Sequence, residues 1–265
     1  MKKALKITAV VLINIASVAL AIFIFFPGLP TYFKVKRDFP SIDRRMEPLE
    51  DIPVPESFKG FEVNGIYLEV PDGAQLGERG NSVKYNDETL VLVTKQDSIE
   101  VDRTARELAE TYEDMPYSEN PFENYLYEEE DYIHFFDSID AEYPTIYNAK
   151  SSMLIWFMRD GFTSRDCLKL RGKDIDVFLE FAQVKEENLK METTYKIKGD
   201  GFTGMFSVFK PDALSDIGGP DMSYLSTFYI YPDDDYSEYY CIMIKSTDTE
   251  LKKQIASTVR LADGE

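Results

Sequence analysis

The chain has 265 residues, with 29 Lys and Arg against 48 Asp and Glu, a formal net charge of −19, 44% hydrophobic residues and 14% aromatics. That balance excludes wholesale disorder, collagen and a disulfide scaffold. It disfavours nucleic acid, whose phosphates need cations, and with His134 as the only histidine imidazole chemistry has little to work with.

Residues 7 to 26 carry no charge. At about 1.5 Å per residue, such a run spans the roughly 30 Å hydrocarbon core of a bilayer. Lys2, Lys3 and Lys6 precede it, and Pro27, Gly28 and Pro30 end it. Ala19-Leu20-Ala21 has the small-x-small form of a cleavage site, but Ile22 to Phe26 carry the apolar run past it. Residues 1–27 are therefore expected to be an uncleaved transmembrane signal anchor. Lys34, Lys36 and Arg37 nearly balance the N-terminal lysines; the short basic head favours an inside N-terminus and a domain outside the cytoplasm. Without the three N-terminal lysines the charge of −19 becomes −22, so the domain is expected to stand off an anionic membrane. Residues 28–57, with Pro30, Pro40, Pro48, Pro53 and Pro55 among charged residues, read as a semi-stiff stalk.

Residues 58–265 read as a single acidic domain. Phe61 and Val63, then Asn64-Gly65, then Ile66, Leu68 and Val70 predict a hairpin. Ser82 to Tyr85 and Thr89 to Thr94 predict two more strands, and Ala105, Leu108, Ala109, Tyr112 and Met115 a helix ended by Pro116. Helices are expected near Tyr147 to Arg159, Ser164 to Leu170 and Asp174 to Leu189, with Thr163-x-x-Asp166 opening the second. Strands follow at 193–198, 203–209, 224–231 and 239–245, and Thr247-x-x-Glu250 predicts a capping box for a last helix. The order predicts an α+β fold, a largely antiparallel sheet with helices packed on it, interrupted by a helical, Tyr-rich acidic insertion around 106–189.

The strand around Gly65-Ile66-Tyr67-Leu68-Glu69-Val70-Pro71 and the closing Ile255-Ala256-Ser257-Thr258-Val259-Arg260-Leu261 resemble the Mog1/PsbP-like sandwich. The resemblance covers the two ends of the domain, and 106–189 departs from it. It implies a binding or assembly part of a bacterial envelope, and it carries over no functional residue.

Gly199-Asp200-Gly201-Phe202-Thr203-Gly204 fits G-x-G-x-x-G. A dinucleotide site needs a helix after the glycines, whereas Met205 to Phe209 reads as strand, so a hairpin turn is expected and no nucleotide. No P-loop, G-x-S-x-G, H-E-x-x-H or EF-hand spacing occurs. Cys167 and Cys241 belong to no C-x-x-C; buried thiols are the first reading and a disulfide the second. No cofactor and no metal are expected.

The most unusual stretch is Glu107 to Ala149: 43 residues with 13 carboxylates, no Lys or Arg, seven tyrosines and three phenylalanines. Three readings of it stand: a solvated acidic face over a packing surface, a docking surface for a basic protein, or calcium ligation, for which Asp233-Asp234-Asp235 with Glu238 is a second cluster. The docking reading names Glu128, Glu129, Glu130, Asp131, Tyr125, Tyr127 and Tyr132. The chain is thus expected to be a single-pass membrane-anchored, extracytoplasmic, non-catalytic binding or assembly module. The alternative is a carboxylate-based hydrolase or a calcium-binding envelope protein.

Overall fold

The computed structural model describes residues 17–262 except 19, 23, 51, 112–121, 123–124, 145–155, 214–220 and 233–237. The helices are α1 (Leu29–Asp38), α2 (Ser98–Thr111), α3 (Glu129–Ser138), α4 (Lys173–Met191) and α5 (Thr249–Ser257). The strands are β1 (Glu47–Pro48), β2 (Phe58–Val63), β3 (Ile66–Pro71), β4 (Gln75–Leu76), β5 (Ser82–Lys84), β6 (Leu90–Asp97), β7 (Glu192–Gly199), β8 (Phe202–Phe209), β9 (Leu225–Pro232), β10 (Glu238–Lys245) and β11 (Arg260–Leu261). The fold is α+β, as the order of elements predicts. The chain forms two compact units: unit 1 comprises 1–44, 122–143 and 161–186, and unit 2 comprises 45–121, 144–160 and 187–265. Within 58–265, the residues of unit 1, 122–143 and 161–186, fall inside the stretch read as the insertion around 106–189.

Unit 2 holds all the strands. Eight form one sheet in the order β1-β7-β8-β9-β10-β6-β5-β4, antiparallel except for β1 on β7. Three form a second sheet, β11-β3-β2. Asn64 (φ 50°) and Gly65 (φ 80°) make the two-residue turn from β2 to β3, a left-handed pair that matches strand twist. β11 lies beside β3, Arg260 opposite Tyr67 and Leu261 opposite Ile66. Alternate residues of each strand face opposite ways. Phe206, Phe228, Ile230, Ile242 and Val93 thus join Ile66, Leu68 and the α5 residues Ile255 and Ala256 in one core. Each fully buried side chain of this size contributes about 1.5–3 kcal/mol.

The G-x-G-x-x-G stretch is the β7–β8 hairpin, with Gly201 at φ 73°. A Cβ on Gly204 would lie 2.6 Å from the Tyr229 carbonyl oxygen. These glycines serve a turn and a close strand approach. The cap of α5 is Asp248, one residue beyond the expected Thr247; its carboxylate accepts the N–H groups of Glu250 at 2.9 Å and Leu251 at 3.0 Å.

Unit 1 is built on aromatic rings. Phe122, Tyr132, Phe135, Phe136, Phe162, Phe178 and Phe181 are fully buried. The helix expected at 164–170 is a 3-10 turn, Asp166–Lys169. Of the helix expected at 147–159, residues 147–155 lie outside the described residues, and Phe157–Gly161 is a π-turn.

The segment read as a stalk, residues 28–57, has local structure of its own. Residues 29–38 are a helix, and Pro30 sits in its first turn, where a missing N–H costs nothing. Val35 and Ile42 are fully buried. The Asp43 carboxylate accepts Ser164 N–H at 2.7 Å and Ser164 O–H at 3.0 Å. From Glu47 the chain is already the edge strand of the large sheet.

Among the described residues no helix is long and apolar enough to cross a membrane. Residues 1–16, 19 and 23 of the expected anchor lie outside the described residues. Those described between 17 and 25 have helical backbone, with Val18, Leu20, Ile24 and Phe25 exposed.

Candidate functional site

The residues named for docking fall in unit 1, at the start of α3. Carboxylates in a first helical turn sit against the positive end of the helix dipole, which suits Glu129, Glu130 and Asp131. The Glu128 N–H donates to Asp131 Oδ2 at 3.2 Å. Asp131 also pairs with Lys173 Nζ at 2.5 Å, and this bond raises the Lys173 ammonium above its usual range. The same ammonium lies 5.7 Å from the centre of the half-buried Tyr127 ring. Glu129 accepts the Tyr143 hydroxyl at 3.1 Å; burial, then this bond, push the Tyr143 phenol well up. Glu128 and Glu130 remain exposed.

Tyr132 is not a surface residue. Its ring is fully buried and stacks on Phe122 at 4.4 Å. Tyr132, Phe135 and Phe136 lie at i, i+3 and i+4, the stripe that a helix turns inward. The Tyr132 hydroxyl donates to Glu180 Oε2 at 2.7 Å and accepts the Tyr127 N–H at 3.1 Å. Burial first, and the Glu180 bond second, raise its phenol far above the ordinary value. Tyr125 is half-buried, edge-on to Phe122 at 5.4 Å.

The exposed residues of α3 include Glu130, Ile133, His134 and Asp137, spaced as one helical face. Leu126 stands before the helix, 79% exposed, while its N–H donates to Glu180 Oε1 at 2.9 Å. The apolar side chain is therefore presented on an anchored backbone. Ile133 and Leu126 carry no signal in the acidic composition, and helical spacing from Glu130 is what would have found the face.

His134 Nδ1 lies 2.7 Å from Asp174 Oδ1. Ser138 Oγ donates to Asp174 Oδ2 at 3.0 Å. The trio resembles a catalytic triad only in composition. His134 meets both Asp174 and Ser138, the latter at 3.4 Å, through the same Nδ1, whereas a triad uses one ring nitrogen for each partner.

Unit 2 holds a charged cluster that the sequence did not flag. Arg159, 4% exposed in the π-turn, donates from Nη2 to Glu192, while its Nε and Nη1 have no partner among the described residues. Burial lowers its guanidinium to about 10. Asp160 stands between Arg45 and Lys196, each at 3.7 Å, and Lys196 lies 5.0 Å over the Trp156 ring. The only signal in the sequence was a lone cation after Trp156-Phe157-Met158. A groove of about 560 Å³ elsewhere in unit 2 gathers Glu47, Glu50 and Glu250 beside Lys253 and Tyr195.

For calcium, the Asp233–Asp235 cluster lies outside the described residues, and Glu238 pairs with Lys95 at 2.6 Å. Among the described residues no three His, Cys, Asp or Glu side chains converge as metal ligands. Both thiols are free, Cys167 buried and Cys241 half-buried; burial pushes Cys167 up to about 12 and raises Cys241.

Comparison with protein-family models, curated proteins and solved structures finds no match to this chain.

Proposed function

We propose that the chain is a single-pass membrane-anchored, extracytoplasmic, non-catalytic binding or assembly module, and that the outer face of α3 docks a basic protein partner. The observation that carries the docking reading is Leu126, 79% exposed on a backbone tied to Glu180, in the segment that leads into α3, whose exposed residues include Glu130, Ile133 and Asp137. A fixed apolar side chain within an acidic field suits a contact in which charge speeds encounter and burial gives affinity. The anchoring reading is supported by the uncharged run 7–26 and by the exposed apolar side chains at its described end.

The test is a photocrosslinking residue at position 126 of the full chain in its membrane. The reading expects one discrete adduct with a basic protein, weakened by salt and lost in the E130Q/D137N variant while the melting temperature holds. No adduct at 126, or one indifferent to salt and to E130Q/D137N, contradicts it.

A further inference from the structure

The chain bears a net charge of −19, yet the part of unit 1 that meets the end of the apolar run is basic. Helix α1 holds Lys34, Lys36 and Arg37 against Asp38, and residues 163–173 hold Arg165, Lys169, Arg171 and Lys173 against Asp166. The fold brings the two segments together. Gly28 N–H donates to the Leu168 carbonyl at 3.1 Å, and a side chain on Gly28 would run into the Cys167 carbonyl. Arg165 is near enough to Lys36 to oppose the charge that the Lys36–Asp43 bond favours.

The Arg171 guanidinium donates to the Ile24 carbonyl at 3.1 Å. That carbonyl belongs to the last turn of the apolar run, where helical carbonyls lack internal partners. Residues 163–173 therefore touch the end of the run itself. The carboxylates of these segments are occupied. Asp38 bonds Arg37, Asp43 bonds Lys36 and Ser164, and Asp166 accepts the Thr163 N–H and O–H. Lys34, Arg165, Lys169 and Arg171 are left exposed with no carboxylate hydrogen-bonded to them among the described residues, although Lys34 lies near enough to Asp38 to help lower its carboxyl. Phe25, Phe26 and Phe33 are exposed alongside, at 71%, 42% and 64%, and phenylalanines flanked by Lys and Arg suit burial at the boundary between headgroups and acyl chains.

We propose that unit 1 seats on the bilayer surface through a basic collar of Lys34, Arg165, Lys169 and Arg171, which binds the headgroups of anionic lipids. The collar rests on the anchoring reading above. It reverses the expectation that an acidic domain stands off an anionic membrane: the repulsion of the whole is local to other surfaces, and the cations lie within a Debye length, about 8 Å, of the headgroups. Each cation so placed favours the seated state roughly fivefold.

The experiment uses the full chain in nanodiscs of phosphatidylcholine, with or without phosphatidylglycerol, and reads amine acetylation rates at single lysines by mass spectrometry. Rates at Lys34 and Lys169 are normalised to those at Lys198 and Lys245. The proposal expects the two collar lysines to slow roughly fivefold or more in the anionic discs, and to recover in high salt. Equal normalised rates in both lipids, with the chain incorporated, overturn the collar and leave the anchor standing. A chain that enters neither disc overturns both.

Discussion

His134 Nδ1 lies 2.7 Å from Asp174 Oδ1, joining α3 to the first turn of α4 through the only histidine of the chain. The bond to Asp174, then its charge, raise the imidazole above 6.5. A histidine whose folded value is raised contributes stability that is fully present below its unfolded value, about 6.5, and is lost as pH rises through the folded value. NMR titration of the single imidazole should therefore show a midpoint above 6.5 that falls in D174N. The stability difference between the wild type and H134Q should shrink as pH rises across that window. A midpoint at or below 6.5 would contradict the pairing.

Tyr132 and Glu130 are two positions apart, about 3 Å of helix rise, yet they should behave as opposites. Tyr132→Phe removes the bonds to Glu180 and to the Tyr127 N–H and should cost about 1–3 kcal/mol. Glu130→Gln should leave stability within about 0.5 kcal/mol and act on docking instead. Urea unfolding of both variants reads this as a shifted midpoint for the first and an unshifted one for the second. Equal midpoints would contradict a stabilising role for the bonds of the Tyr132 hydroxyl.

Gly204→Ala should destabilise unit 2 by about 1–3 kcal/mol, because its Cβ would meet the Tyr229 carbonyl oxygen at 2.6 Å. Thermal unfolding followed by circular dichroism reads the loss. A glycine kept for a phosphate would instead tolerate the change in stability and fail in nucleotide binding. An unshifted melt in Gly204→Ala would contradict the hairpin account.

Strand pairing was legible because its signals are local. Asn64-Gly65 names its own turn, and the alternation of Ile66, Leu68 and Val70 names its buried face. Unit 1 was illegible because its core is assembled from three separated stretches. Val35, Tyr132 and Phe181 are buried in one unit, and no periodicity spans such gaps. Pro30 was read as a helix breaker, although the first turn of a helix accepts proline. Tyr132 was grouped with Glu128 to Asp131 by composition, when its spacing to Phe135 and Phe136 points inward. The collar was hidden for the same reason: Arg171 meets Ile24 only in the fold.

The central claim is an anchored domain outside the cytoplasm. Its most direct test treats intact spheroplasts, expressing the full chain with a C-terminal epitope, with an impermeant protease. The account predicts that the epitope is lost from intact spheroplasts while a short fragment containing residues 7–26 stays with the membrane. Full-length chain that survives until the spheroplasts are lysed would contradict it.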